Sequence, residues 1–257
     1  MPFTLAHPAA VLPLRGLRYL RTAPLILGAM APDLPYYVPS ALGRHLPETH
    51  SFAGSLSIDP LLGYAALLAV FVLRAPLTAL LPARARWLCL NALVPFRRAP
   101  EWAFAAFAIL AGVWTHLLWD SFTHKDGWMV HRVEALSAPV TIGPYTEELC
   151  HVLQYVSSAF GLIVMAVWYA RLRTPRATAA PSAARSPARP VLMLVVVAAM
   201  LIGSVQAVVF FNYWHSFYRT VDVLLTHSLA WFAALYLVAG TIVALEHAHE
   251  RVSDSGA

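Results

Sequence analysis

Charged residues are scarce in this chain: Asp, Glu, Lys and Arg make up only 12% of its 257 residues, whereas apolar residues make up 59%. An ordinary soluble domain carries about 25% charged residues. The composition therefore excludes a typical soluble domain and predicts an integral membrane protein. The formal net charge is +5, and the only lysine is Lys125. The arginines lie between apolar runs, as in the cytoplasmic loops of membrane proteins, so we expect no nucleic-acid partner.

Cysteine is also scarce, since Cys89 and Cys150 are the only two. They form no CxxC motif, and no CxxCH motif for covalent haem attachment is present. The topology derived below places them on opposite sides of the membrane. We therefore expect no structural disulfide.

Long apolar runs predict about five transmembrane helices, because a span needs roughly 20 mostly apolar residues. The runs cover residues 61–81, 102–119, 152–170, 191–211 and 223–245. Residues 9–31 are different: arginines recur every third residue from Arg15 to Arg21, and Pro24 and Pro32 bracket a piece too short to cross. The predicted fold is an all-α integral membrane protein with about five transmembrane helices and an N-terminal amphipathic or re-entrant helix.

The segment 171–190 is rich in Ala, Pro, Ser and Arg and shows no hydrophobic periodicity. This composition predicts a disordered basic linker. It would separate a membrane region at 1–170, with an interfacial N-terminal segment and three spans, from two further spans and a short tail at 191–257. The linker and the loop at 82–101 are rich in arginine, so the positive-inside rule predicts that the N-terminus is outside and the C-terminus inside.

This orientation gathers the histidines: all except His247 and His249 lie on, or at helix ends facing, the outer side. The most informative pair is His116 and Asp120, which are four residues apart and therefore share one face of a helix. Imidazole and carboxylate groups together are good ligands for zinc, iron or manganese. His124 continues the series but lies about 12 Å along the axis from His116. It therefore belongs to a second metal, an outer shell, or a turn after the helix.

Three more segments on the same side supply candidate ligands, namely His7, Asp33 and His50. Each is a weak signal alone, since turns favour Asp for backbone reasons. In chain order, however, they precede the His116–Asp120 pair in an H…D…H…HxxxD series. The series predicts that these five side chains converge on a metal site.

The motifs resemble those of the predicted membrane-bound metal-dependent hydrolases of the YdjM-like family, and more closely those of the DUF4184 family. The matching segments are 2–8 (PFTLAHP), 31–35 (APDLP), 49–51 (THS) and 115–124 (THLLWDSFTH). The resemblance covers roughly residues 1–160. The wider hydrolase family usually has P-D-x-D-H at the second motif. Here Leu34, Pro35 and Tyr36 follow Asp33, so this chain has fewer ligands than that pattern supplies.

The resemblance implies a metal-dependent hydrolase working at the membrane–water interface of a bacterial cytoplasmic (inner) membrane. The five residues of the series would hold one or two divalent ions, with zinc expected first and manganese or iron compatible. Asp33 or Asp120 would accept a proton, and the residues expected around the ligands are Thr49, Ser51, His124 and His151. His151 fits either a ligand or an interfacial anchor. The expected partners are membrane lipids, and the expected substrate is a phospholipid or lipid-linked phosphoester, with Arg44 or Lys125 steering its phosphate.

Non-enzymatic functions remain open from sequence alone. Haem would require facing axial ligands from two spans, such as His116 and His227, and would not need Asp33 or Asp120. A transporter would be expected to show broken spans or paired half-repeats. A scaffold without chemistry is the third alternative.

The arginine-rich linker generates a topology test. Protease added to the cytoplasmic side of oriented vesicles should cut within residues 171–190, because an unfolded, exposed segment is the preferred site of cleavage. Cleavage only from the outer side would invert the predicted topology and move the candidate site to the cytoplasmic face.

Overall fold

The computed structural model describes residues 3–17, 19–37, 48–143, 145–174, 188–215 and 217–255. These residues form α1 (Thr22–Met30), α2 (Phe52–Leu56), α3 (Ile58–Val72), α4 (Arg74–Ala79), α5 (Ala83–Leu93), α6 (Ala99–Thr123), α7 (Leu149–Arg171), α8 (Ala188–Trp214) and α9 (Phe217–Ser255). They also form 3₁₀ helices at Thr4–Gly16, Ala31–Tyr37, Val94–Arg97 and Glu134–Ser137. The predicted all-α class is confirmed. Besides helices, the described residues form one short antiparallel hairpin, made of β1 (Pro139–Ile142) and β2 (Tyr145–Glu148).

Four of the helices are long and apolar enough to cross a membrane. They contain the predicted runs at 102–119, 152–170, 191–211 and 223–245, and their bounds are Ala99–Thr123, Leu149–Arg171, Arg189–Tyr213 and Thr220–Glu250. Large apolar side chains on them are exposed, for example Phe107, Phe160 and Leu201. Large apolar side chains exposed in such number mark a surface that contacts a membrane or another protein. The helices thus indicate a membrane protein.

The first predicted run, 61–81, is not one continuous helix. It contains α3, which has 15 residues, and α4, with Leu73 between them. Pro76 explains the break, since proline has no N–H and its ring would clash with the carbonyl of Val72 in a continuous helix. The sequence prediction overlooked this proline. The predicted linker at 171–190 lies mostly outside the described residues.

The chain forms two compact units. The first contains the described residues of Met1–Pro35, Ser40–Leu67 and Phe96–Leu172. The second contains those of Tyr36–Pro39, Leu68–Pro95 and Arg173–Ala257. By their contacts, residues 68–95 group with the C-terminal helices. The division predicted at residue 170 stays a prediction.

In the first unit, α1 crosses α6 with the two backbones in close contact. A Cβ atom added at Gly28 would overlap Ile109, and one added at Gly112 would overlap the carbonyl of Leu25. Small residues permit such close helix packing inside membranes. The crossing matters for the site because it places the end of α1 beside the last turns of α6.

The N-terminal 3₁₀ helix Thr4–Gly16 packs against α7 and α1. A Cβ at Gly161 of α7 would lie 2.8 Å from the carbonyl oxygen of Ala6. The backbone N–H of Phe3 donates to Ser158 Oγ at 3.0 Å. These contacts fix the segment that carries His7.

In the second unit, α8 and α9 pack along each other and α9 also packs on α4. Their shared core contains Ala79, Leu80, Val195, Tyr236 and Val243. The Tyr236 hydroxyl donates to the carbonyl of Leu77 at 2.9 Å. This contact supplies a partner for a polar group that an apolar interface would otherwise leave unpaired.

The α1–α6 crossing should not tolerate one added methyl group. We expect Gly28→Ala to destabilise the protein by about 1–3 kcal/mol, the usual effect of overpacking, and to lower its Tm in detergent by tryptophan-fluorescence melting. The control is Gly16→Ala, whose Cβ would have no atom within 4 Å. Equal Tm values for the two variants would contradict the close crossing.

Candidate metal centre

The five side chains of the predicted series lie together in the first unit, although they come from four separate segments. Two overlapping groups have their ligand atoms within 4.8 Å of one another, and His116 belongs to both. The groups are His7–Asp33–His116 and His50–His116–Asp120. Apart from His50, whose side chain is 24% exposed, the ligands are buried. The structure thus assembles three imidazoles and two carboxylates at one buried place.

Helix α6 supplies two of the five, as the helical spacing predicted. His116 Nε2 lies 3.1 Å from Asp120 Oδ2. The other ring nitrogen of His116, Nδ1, donates to the carbonyl of Ala29 at the end of α1, at 2.8 Å. Because a carbonyl can only accept, Nδ1 carries a proton, and Nε2 is the ring nitrogen that faces the carboxylates and would be available to a metal ion.

Asp33 enters from the 3₁₀ helix Ala31–Tyr37, which follows α1 directly. Thr4 Oγ1 donates to its Oδ2 at 2.6 Å, and both side chains are fully buried. Its Oδ1 faces the histidines, at 3.3 Å from His50 Nε2 and 3.7 Å from His116 Nε2. Thr4 was missed as a site residue, and its only signal was its place three residues before His7.

His7 and His50 complete the set from opposite sides. His7 Nε2 lies 3.5 Å from Asp120 Oδ1 and 4.0 Å from Asp33 Oδ2, and its ring stacks on that of His116 at 3.8 Å. His50 Nε2 lies 3.6 Å from Asp120 Oδ2 and 3.3 Å from His116 Nε2. The predicted neighbour Thr49 contacts His50 Nδ1 through Oγ1 at 3.1 Å, and as an acceptor there it would leave Nε2 unprotonated.

Burial and neighbouring side chains set the protonation states of His7 and Asp33. Burial, followed by the neighbouring His116, lowers the pKa of His7 to about 3, so its imidazole is neutral at physiological pH. Burial opposes ionisation of Asp33, but His116 and His50 outweigh it and hold the pKa of that carboxyl below its usual value. A neutral imidazole and an ionised carboxylate are the forms that bind metal ions.

The donor atoms fit a divalent ion in both spacing and chemistry. Ligand bonds of about 2.1 Å place neighbouring donors about 3.0–3.4 Å apart, and the four shortest separations among the five ligands are 3.1, 3.3, 3.3 and 3.5 Å. Both ring nitrogens of His7 and both carboxylate oxygens of Asp120 are buried without a hydrogen-bond partner among the described residues. Buried polar groups normally have a partner, and an ion coordinated by these atoms would provide one.

The remaining predicted residues lie around this cluster or outside it. His124 ends α6, where the backbone leaves the helix, and its Nδ1 lies 3.5 Å from Asp120 Oδ2. Ser51 caps α2 by accepting from Gly54 N at 2.9 Å. His151 Nδ1 lies 3.1 Å from Glu147 Oε2. Lys125 Nζ lies 3.2 Å from Glu148 Oε1, and Arg44 lies outside the described residues.

The bond from Thr4 to Asp33 should be measurable by itself. Thr4→Val keeps the side-chain shape but removes the donor, so a buried carboxylate oxygen loses its partner, a loss of about 1–3 kcal/mol. We expect a lower Tm for Thr4→Val in detergent, whereas Thr4→Ser, which keeps the hydroxyl, should stay close to wild type. A Tm for Thr4→Val equal to that of Thr4→Ser would show that this hydrogen bond is not made.

Comparison with known proteins agrees with the motifs. No curated protein and no solved structure matches the chain. Its residues 1–245 match the family described as a domain of unknown function, DUF4184. The match runs well beyond the roughly 160 residues that carry the motifs, so most of the last two helices belong to the family domain as well. The chain that carries this His–Asp cluster is a member of the DUF4184 family.

Proposed function

We propose that this protein is a membrane-bound metal-dependent hydrolase. The observation that carries the proposal is the convergence of His7, His50, His116, Asp33 and Asp120 on one buried place. Ionisable groups at membrane depth are costly and are usually functional. A bound cation would compensate for the cost of burying two adjacent carboxylates beside three imidazoles.

The five residues divide the work of holding the ion. The three imidazoles offer neutral nitrogen donors, and Asp33 and Asp120 bring two negative charges that balance a divalent cation. A bound divalent ion would activate a water molecule for attack and polarise the scissile bond. Zinc is the first expectation for this mixture of nitrogen and oxygen donors, and manganese and iron suit it too.

An amphiphile is the substrate class that the surroundings of the cluster favour. His50 and His124 are the partly exposed members, with 24% and 28% of their side chains accessible, so solvent reaches the cluster from their side. Just after His50, Phe52 and Leu56 of α2 are 76% and 55% exposed. Apolar side chains beside a polar site suit a phospholipid or a lipid-linked phosphoester, whose apolar and charged parts would be bound together.

The proposal includes a topology. The segment formed by α3 and α4 would act as a fifth span beside the four long helices, with the N-terminal segment at the interface. The arginine-rich loops would face the cytoplasm. The ion site would then open to the outer side of a bacterial inner membrane, among its membrane lipids.

The geometry at His116 favours an ion over the alternative of haem. Its Nε2 faces two carboxylates, and its Nδ1 already donates to Ala29. An axial haem ligand needs open space above Nε2 rather than two acidic side chains. A scaffold without chemistry would have no use for carboxylates buried at this site.

Loss of one ligand tests the proposal. Asp120→Asn should sharply reduce the metal retained per protein, because it removes a negative charge and a donor atom at the centre of the cluster. His124→Ala should have a smaller effect, since His124 contacts Asp120 from outside the five ligands. Metal content is measured by elemental analysis of monodisperse, detergent-purified protein.

The matched control for this experiment is Glu147→Gln, which neutralises an acid that pairs with His151 outside the cluster. It should retain the metal content of wild type. Full occupancy in Asp120→Asn, or a wild type that holds no metal after purification and reconstitution with zinc, manganese or iron, would remove the basis of the proposal.

A further inference from the structure

A sixth ionisable side chain lies beside the cluster and was not among the predicted ligands. Asp59 is in the first turn of α3 and is fully buried. Neither of its carboxylate oxygens has a hydrogen-bond partner among the described residues. A buried carboxylate without a partner is expensive, so a compensating charge is to be expected nearby.

The packing of α3 places Asp59 next to the candidate metal centre. The buried residues of α3 are Asp59, Gly63 and Leu67, which share one helical face at four-residue spacing. A Cβ added at Gly63 would lie 2.5 Å from Ile109 Cγ2 of α6 and 3.6 Å from the Cβ of Ala31. Ala31 begins the 3₁₀ helix that carries Asp33, and Ile109 lies about two turns before His116.

A second contact to α6 lies on the N-terminal side of Asp59, in α2. Ser55 of α2, four residues before Asp59, accepts from Trp114 Nε1 of α6 at 3.4 Å. Asp59 therefore lies along α6 between the levels of Ile109 and Trp114, about one turn from His116. Its carboxylate lies within electrostatic range of His50 and His116, both members of the cluster.

Asp59 is not placed as a ligand. It belongs to neither of the two groups whose donor atoms lie within 4.8 Å of one another. Asp33 and Asp120, by contrast, each face two or more histidine nitrogens. Among these three acids, Asp59 is thus the one with neither a hydrogen bond nor an ion pair to a histidine of the cluster among the described residues.

We propose that Asp59 is an outer-shell carboxylate of the metal site, whose charge stabilises a divalent cation held by the five ligands. This inference rests on the proposed metal site and adds a residue that tunes its affinity. Groups just outside the ligands commonly change metal affinity by about 10–100-fold when they are replaced. Without the cation, an ionised Asp59 would be an uncompensated buried charge, so burial then favours its protonated form.

The test compares Zn²⁺ affinity, by competition with a chromophoric chelator, in metal-stripped wild type and variants. Zinc is the suitable probe because nitrogen and oxygen sites bind it more tightly than manganese or iron. Asp59→Asn, which keeps the side-chain shape and removes the charge, should raise the Kd for Zn²⁺ by about 10–100-fold at unchanged stoichiometry. Asp59→Glu should restore most of the affinity.

Thermal melting separates this role from a structural one. Without zinc, and at a pH high enough to ionise Asp59, Asp59→Asn should melt at a higher temperature than wild type, because ionisation of a buried, unpaired carboxyl destabilises the fold. The rise in Tm on adding zinc should be smaller in the variant. A residue needed only for packing would instead lower the Tm of the metal-free protein.

Ser55→Ala is the matched control, a buried uncharged substitution on the same segment that should leave the Kd within about two-fold. An unchanged Kd in Asp59→Asn, an equal weakening in Ser55→Ala, or a loss of stoichiometry in Asp59→Asn would overturn the inference while leaving the metal site standing. If Asp59→Asn does not remain monodisperse, Asp59→Ala takes its place under the same criteria. A wild type that binds no zinc would overturn the proposed function as well.

Discussion

The burial of Asp33 and Asp120 beside each other is the constraint on which the rest of the first unit depends. Two adjacent carboxylates repel each other, and their removal from water is expensive unless charge or hydrogen bonds compensate. Here Thr4 donates to Asp33, and three imidazole nitrogens point at the pair. A neutral imidazole, the form that burial favours at His7, supplies no net positive charge. A divalent cation is the simplest species that would balance this arrangement.

Helix packing and site geometry are coupled in this protein. The crossing at Gly28 and Gly112 brings the backbones of α1 and α6 into contact. That contact places the carbonyl of Ala29 where it accepts from His116 Nδ1. Just beyond Ala29, the chain tightens into the 3₁₀ helix that presents Asp33. Close packing of small residues therefore sets both the tautomer of one candidate ligand and the position of another.

The candidate ligands could be predicted from the sequence, whereas the residues that surround them could not. The pair His116 and Asp120 follows from helical periodicity, and the order of His7, Asp33 and His50 before it points to one cluster. Thr4, the carbonyl of Ala29 and Asp59 could not be predicted, because their roles come from contacts between segments far apart in the chain. No local pattern encodes which hydroxyl or carbonyl will meet a given ligand.

The fold shows the same division. Four of the five predicted apolar runs correspond to the four long helices, because length and hydropathy are local properties. The run at 61–81 is interrupted near Leu73, and the hydropathy of the run concealed the effect of Pro76. The β-hairpin before α7 was not anticipated either, since its strands are only four residues each, too short to show an alternating pattern.

The most direct test of the account is the coordination shell of the bound ion, measured by X-ray absorption spectroscopy on the detergent-purified protein loaded with zinc. The account predicts nitrogen and oxygen neighbours at about 2.0–2.2 Å, with the multiple-scattering signature of three imidazole rings. A bound ion whose spectrum shows no histidine scattering, or shows sulfur neighbours, would contradict the claim that His7, His50 and His116 hold it together with Asp33 and Asp120.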